Sequence, residues 1–174
     1  MRMFPRALPF VLLLALCTGA SATARGLNGV VNHVTDGDTL WVRPASGPPV
    51  QVRLQGLDAP EICQPFGRQA RDALAARVLH RTVRVATRAR DRYQRSVGSV
   101  SLEGQDVGAW LVAGGFAWST RYRGRNGPYA QEEARARHGR IGLWAASAVD
   151  PRVFRKRHGS CRPARGTGSI GNGN

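Results

Sequence analysis

Between Leu27 and Leu57 apolar and polar residues alternate in short runs. Val30, Val31 and Val34 lead into Asp36-Gly37, Thr39 to Val42 follow, and a Pro/Gly stretch from Pro44 to Pro49 turns the chain into Val50, Val52 and Leu54, with Gln51, Arg53 and Gln55 on the opposite face. A period of two, broken by turn residues, predicts a three-stranded meander. From Pro65 to His80 the period changes: Ala70, Leu74 and Val78 repeat every four residues with Ala73 beside them, the mark of an amphipathic helix, here decorated with arginine. Val83 and Val85 begin a fourth strand and Val97 to Leu102 form a fifth, with a charged, exposed turn from Arg88 to Arg95 between them.

Asp106 is placed to cap a short helix over Val107, Trp110 and Leu111, which Gly114-Gly115 ends. Pro128 opens another helix through about Arg140, and Gly142-Leu143-Trp144 is expected to close the fold by burying the indole. Beyond Asp150-Pro151 the chain is basic, then Gly/Ser/Asn-rich, and fraying is expected. Three strands, a helix, two strands and further helices make an α+β order. It is compatible with a five-stranded OB-type barrel carrying about three helices, one of them plugging the barrel before the fourth strand.

Residues 1–24 stand apart. Arg2 and Arg6 precede an apolar run from Phe10 to Leu16, and Ala22-Thr23-Ala24 forms an A-x-A site before Arg25. The run is too short to span a bilayer, and Leu16 is bulkier than the small residue expected before a lipidated Cys17. Export through the Sec route with cleavage is expected, to the periplasm or the medium. Residues 25–150 then form one domain and 151–174 a tail. No later apolar segment could enter a membrane, and the chain is expected to act as a monomer.

The whole chain carries 26 Lys+Arg against 11 Asp+Glu, a net charge of +15, with Lys156 its one lysine. Such a balance favours a polyanionic partner, nucleic acid before anionic lipid, although arginine abundance can also be a habit of genome composition. At 42% apolar the chain has enough hydrophobic material to fold. Cys63 and Cys161 remain after the leader is removed; an even pair in an exported chain suggests one disulfide, with two free thiols as the alternative. His33, His80, His138 and His158 are scattered, so neither a zinc site nor metalloprotease chemistry is supported. Gly166 to Gly171 matches G-x-G-x-x-G, but no strand precedes it.

The acids are few, and Asp36, Asp38, Asp58 and Glu61 gather at the ends of the first and third strands. D-G-D-T alone reads equally well as a hairpin turn of type I′, and it lacks the ligand spacing of an EF-hand. The stretch Arg53-Leu54-Gln55-Gly56-Leu57-Asp58-Ala59-Pro60-Glu61 adds an arginine and two carboxylates at one strand end. Crowded carboxylates repel unless a cation or cationic side chains join them, and hard oxygens suit Ca²⁺ or Mg²⁺. Arginine at the same place supplies the planar fork that grips phosphate. A salt-bridged cluster that only holds the barrel mouth shut is the plainer reading.

Taken together, V-T-D-G-D-T-L (Val34 to Leu40), V-R-L-Q-G-L-D-A-P-E (Val52 to Glu61) and D-R-Y-Q-R (Asp91 to Arg95) resemble, in order and spacing, the staphylococcal-nuclease (thermonuclease) family of secreted, Ca²⁺-dependent OB-fold nucleases. The resemblance runs on through D-V-G-A-W-L-V (Asp106 to Val112), G-F-A-W (Gly115 to Trp118) and the Glu132/Glu133 helix ending in G-L-W, and covers about Leu27 to Trp144. It implies that Asp38 and Asp58 hold Ca²⁺ through their carboxylates and Ala59 through its carbonyl. Arg53, Arg95 and Glu61 match the family's catalytic arginines and glutamate, Asp36 an acid that shapes the metal site, and Tyr93 the tyrosine near the bound nucleotide's phosphate.

Three departures stand out. Gln94 replaces a frequent glycine, Ala59 a threonine of some members, and the tyrosine-rich nucleotide wall is poorly matched around Ser119 to Arg123, which leaves Trp118 or Tyr122 for base stacking. The resulting expectation is a sequence-nonspecific endonuclease acting on DNA and RNA, single-stranded or locally open, leaving 3′-phosphate ends. Its rivals are a non-catalytic OB-fold nucleic-acid-binding protein and a basic protein for anionic surface polymers.

Overall fold

The structure is a computed structural model that describes residues 25–161; the leader-like segment 1–24 and the Gly/Ser/Asn-rich segment 162–174 lie outside the described residues. Strands β1 (Arg25–Asp36), β2 (Thr39–Pro44) and β3 (Val50–Leu54) form the expected antiparallel meander. β5 (Thr82–Arg90) pairs with β1 and with β6 (Ser96–Leu102), and β6 returns parallel to β3, which closes a five-stranded barrel of the OB type. Leu40, Val42, Val52, Val85 and Val100 fill it and are essentially without solvent exposure. Burying each such side chain is worth roughly 1.5–3 kcal/mol, so the alternation seen in the sequence is what drives the sheet to curl.

Helix α1 (Gly67–Val78) plugs one end with Gly67, Ala70, Leu74 and Val78, the stripe its period predicted. α2 (Val107–Ala113) is capped by Asp106, whose side chain accepts from the Ala109 N–H. α3 (Ala130–His138) starts just after Pro128. A short pair was not foreseen: β4 (Leu57–Asp58) lies antiparallel to β8 (Trp118–Ser119). A two-residue β7 (Gln105–Asp106) leads off β6.

The structure differs from expectation in three places. β5 continues to Arg90, so the charged turn shrinks to Asp91–Arg95. In the 3₁₀ turn Gly142–Ala145 the buried residue is Leu143; the Trp144 indole lies partly exposed, edge-on to Trp118 at 5.3 Å, with Arg137 over its ring. Residues 151–158 do not fray but form α4 (Pro151–His158), with Asp150 accepting from the Arg152 N–H and Pro151 in the first turn; the rest of the expected frayed segment, from residue 162, lies outside the described residues. A side-chain cap and a proline at that place favour a helix start, signals outweighed in the sequence by the run of like charges. Cys161, just past α4, is disulfide-bonded to Cys63. Among the described residues no helix is long and apolar enough to cross a membrane.

Candidate active site

The D-G-D-T hairpin turns at Gly37 and Asp38 between the paired residues Asp36 and Thr39. Gly37 is not in the left-handed region, so the turn is not type I′. Glycine is needed there for space: a Cβ would lie 2.7 Å from that of Ala59 and 2.8 Å from that of Ala70. The Asp38 N–H donates to Asp36 Oδ1 at 3.1 Å. Burial and the neighbouring Asp38 carboxylate push the Asp36 carboxyl up to about 7.

Register then brings the partners in. Thr39 stands opposite Arg53 across the β2–β3 ladder. The Arg53 guanidinium donates to Asp38 Oδ1 through one nitrogen and to Asp58 Oδ1 at 3.1 Å through the other. Asp58 is held in place by the pairing of β4 with β8. Both carboxylates are buried, at 4% and 5% exposure, and Asp38 also accepts from Thr39 Oγ1 and from the Ala59 N–H. Burial works against the Arg53 charge, but Asp38 and Asp58 outweigh it and hold the guanidinium above its ordinary range.

Glu61 sits in a tight turn. Its N–H donates to Gln64 Oε1 at 3.2 Å, its carbonyl accepts from the Gln64 N–H at 2.8 Å, and Gly67 lies so close that a Cβ would come 1.9 Å from the Glu61 oxygen. The carboxylate meets Arg155 of α4, whose Nη1 donates to Glu61 Oε1 at 2.9 Å and whose Nη2 donates to Asp58 Oδ2 at 2.8 Å. Hydrogen bonding to Asp58 is the main cause that keeps this guanidinium, too, above its usual range. The mouth of the barrel is thus a chain of alternating charges: Asp38, Arg53, Asp58, Arg155, Glu61.

Arg95 approaches from the Asp91–Arg95 turn. Asp91 Oδ1 accepts from the Tyr93 and Arg95 N–H groups, and Asp91 Oδ2 accepts from Arg95 Nε at 2.7 Å. Those bonds hold the Asp91 carboxyl below its ordinary range even though what burial it has opposes the charge. Gln94 adopts φ 64°, the left-handed conformation for which glycine is suited, so the turn is kept despite the substitution. Tyr93 is 63% exposed, with Arg92 and Arg95 over its ring at 4.8 and 5.3 Å.

Asp38, Arg53, Ala59, Glu61, Tyr93 and Arg95 all line one open cleft of about 530 Å³; Asp58 lies just beneath it through its bonds to Arg53 and Arg155. The residues that the resemblance assigns to metal, catalysis and phosphate are therefore brought to one place. The stacking residues are not. Trp118 is buried, and Tyr122, though exposed, is outside the residues that line the cleft.

Among the described residues no group of three or more His, Cys, Asp and Glu stands where it could hold a metal ion. The donor set for calcium is smaller: the Asp38 and Asp58 carboxylates and the Ala59 carbonyl. All are hard oxygens, and Ca²⁺ accepts water for the rest of its shell. Asp36 stands beside Asp38 on the same cleft and adds a further acidic group there. The residues fit such an ion.

Three contributors escaped the sequence. Arg155 falls in the basic run Arg152 to Arg157, which reads as a solvated end or as a set of phosphate contacts but not as a partner of Glu61, and Asp91 and Arg92 fall in a turn that reads as merely charged. Only the D-R-Y-Q-R spacing pointed to the turn, and nothing local points to Arg155, which reaches Glu61 across 94 positions of chain.

Over residues 51–146 the chain matches the family described as staphylococcal nuclease homologue. A Haemophilus influenzae protein named an uncharacterized endonuclease is 34% identical over 146 residues, 83% of this chain and 82% of its own. Protein ParB of Escherichia coli is 38% identical over 155 residues, covering 82% and 87%. A micrococcal nuclease of Shigella flexneri is 34% identical over 140 residues, covering 74% and 80%. The family match spans β3 to the 3₁₀ turn and so contains Arg53, Asp58, Glu61 and Arg95, and with a match over more than half its length the chain belongs to the staphylococcal nuclease family.

Proposed function

We propose that this chain is a calcium-dependent, sequence-nonspecific endonuclease that hydrolyses phosphodiester bonds of DNA and RNA and leaves 3′-phosphate ends. Membership of the family makes it a nuclease, a phosphodiester hydrolase. The observation that carries the finer reading is the gathering of Arg53, Glu61 and Arg95 on one cleft above the Asp38–Asp58 pair.

Phosphodiester hydrolysis builds negative charge on the phosphoryl oxygens. Arg53 and Arg95, protonated at any working pH, stand to grip those oxygens from two sides. Arg95 lines the cleft and is anchored through its Nε on Asp91, which leaves its terminal nitrogens to donate elsewhere. Glu61 orients the attacking water and takes its proton. Asp38, Asp58 and the Ala59 carbonyl would hold calcium, which when bound adds positive charge beside the phosphate. Tyr93, exposed between Arg92 and Arg95, is placed to meet the nucleotide next to that phosphate. The arginines of the cleft read phosphate rather than base edges, and single-stranded or open nucleic acid reaches such a mouth most easily.

Export to the periplasm or medium is part of this reading; the Cys63–Cys161 bond supports it, since such bonds persist in oxidising compartments. The test is release of acid-soluble nucleotides from heat-denatured DNA and from RNA, with Ca²⁺ and with excess chelator, beside Glu61→Gln. Calcium-dependent release that the substitution cuts to a small measurable remainder, with ends sensitive to phosphatase, is expected. Binding without release in any divalent cation would make the barrel a non-catalytic binding module.

A further inference from the structure

Glu61 and α4 are fastened together at both ends of that helix. Ahead of α4, the Val149 carbonyl accepts from Gln64 Nε2 at 2.6 Å, and the oxygen of the same buried amide accepts from the Glu61 N–H. Past α4, Cys161 is bonded to Cys63, two residues after Glu61. Between the two fastenings Arg155 turns inward. Its side chain is 30% exposed against 54% for Arg152, and three of its N–H groups go to Asp58 and Glu61. Arg152 reaches only to 4.0 Å from Asp58.

A solvated helix would leave such a guanidinium in water. Here one planar fork spans two carboxylates that would otherwise repel each other, a geometry that an ammonium group cannot copy. A carboxylate that must aim at a water gains most from being held, because small misplacements of a reacting group cost large factors in rate. We infer that Arg155 is a third arginine of the active site, a positioning residue that fixes the Glu61 carboxylate against Asp58 so that it faces the attacking water. This rests on the nuclease reading of the same cleft. It makes α4 a wall of the active site, and the disulfide and the Gln64 amide are the two ties that hold that wall in register with Glu61.

The test measures kcat and KM on heat-denatured DNA with Ca²⁺ for the full chain and for Arg155→Ala, Arg155→Lys, Glu61→Gln and the Arg155→Ala/Glu61→Gln pair, each with a melting curve. Lys156→Ala, which removes one exposed charge from the same helix, is the control. Arg155→Ala is expected to lower kcat about 10- to 100-fold with KM changed less than about threefold. Arg155→Lys keeps the charge and the stem, so it folds, yet recovers little rate; added guanidinium ion restores part of the Arg155→Ala rate. In the Glu61→Gln background the loss of Arg155 adds almost nothing, since it acts through Glu61.

A kcat for Arg155→Ala within twofold of the parent overturns the inference. So does a rise in KM alone, which would make Arg155 a simple phosphate contact, or a loss that multiplies in full with Glu61→Gln. A rate loss seen only near the variant's melting temperature, and absent from Arg155→Lys, would reduce Arg155 to a structural tie and also overturn it. A parent chain that releases no nucleotide in any divalent cation overturns the nuclease reading and the inference with it; a parent that cuts beside an equally active Arg155→Ala overturns the inference alone.

Discussion

Thr39 and Arg53 are register partners across the β2–β3 ladder, and that one pairing puts a guanidinium between the buried carboxylates of Asp38 and Asp58. Arg53 therefore has two duties, holding the mouth together and meeting the phosphate. Arg53→Ala should lower stability by on the order of 3 kcal/mol, because it leaves the buried Asp38 carboxylate without its cationic partner, while Asp58 keeps Arg155. It should also lower kcat by at least about 100-fold. Arg53→Lys should recover much of the stability and little of the activity, since a point charge cannot fork between two acids. Denaturant melts and steady-state rates on the same preparations separate the two effects.

The barrel and the acids were legible in the sequence because they obey local rules: period two for the strands, period four for α1, and three motifs in fixed order. What escaped depends on contacts between distant segments. Leu57 and Asp58 pair with Trp118 and Ser119 through a register that no alternation announces. Arg155 reads as one charge in a basic run, and only the folded chain puts it on Glu61. The type I′ turn at Asp36-Gly37 fails for a different reason: Gly37 is there to let Ala59 and Ala70 close in, a packing demand invisible in the tetrapeptide.

Gly67 supports Glu61 by leaving room. Because a Cβ would stand 1.9 Å from the Glu61 carbonyl oxygen, Gly67→Ala must push the turn outward. Cost in stability on the order of 2 kcal/mol and a fall in kcat of about tenfold are expected. A melting curve and single-turnover rates check this; an alanine variant with the parent's rate would show that the turn can shift without moving the carboxylate.

Asp91 ties down the arginine on the opposite wall. Asp91→Asn keeps an oxygen for the Tyr93 and Arg95 N–H groups but presents an amide to Arg95 Nε. The turn should survive, with a stability change of about 1 kcal/mol or less for this surface pair. Arg95 loses its anchor, and kcat should fall about tenfold. Crosslinking the loop is unnecessary: the rate and a circular dichroism melt decide.

The Cys63–Cys161 bond joins residues 98 apart in sequence. Removing it with Cys161→Ser, or reducing it, should lower unfolding free energy by about 2–5 kcal/mol, and reductant should have no further effect on the variant. Urea melts with and without reductant measure this, and a mass unchanged by thiol alkylation of the unreduced protein checks the bond itself.

The parallel pairing of β3 with β6 has a consequence for the chain as it is being made. Neighbouring parallel strands require a long crossover, which here carries β4, α1 and β5 before Ser96 can settle beside Val52. Such distant pairings form late in folding, after the local turns and helices. A nascent or half-threaded polypeptide therefore owns the acids and Arg53 but has nowhere to seat Arg95, and no early fragment carries a working cleft. The candidate cleft is assembled only with the completed barrel, because Arg53 and Arg95 sit on a strand and a turn that this late pairing brings together.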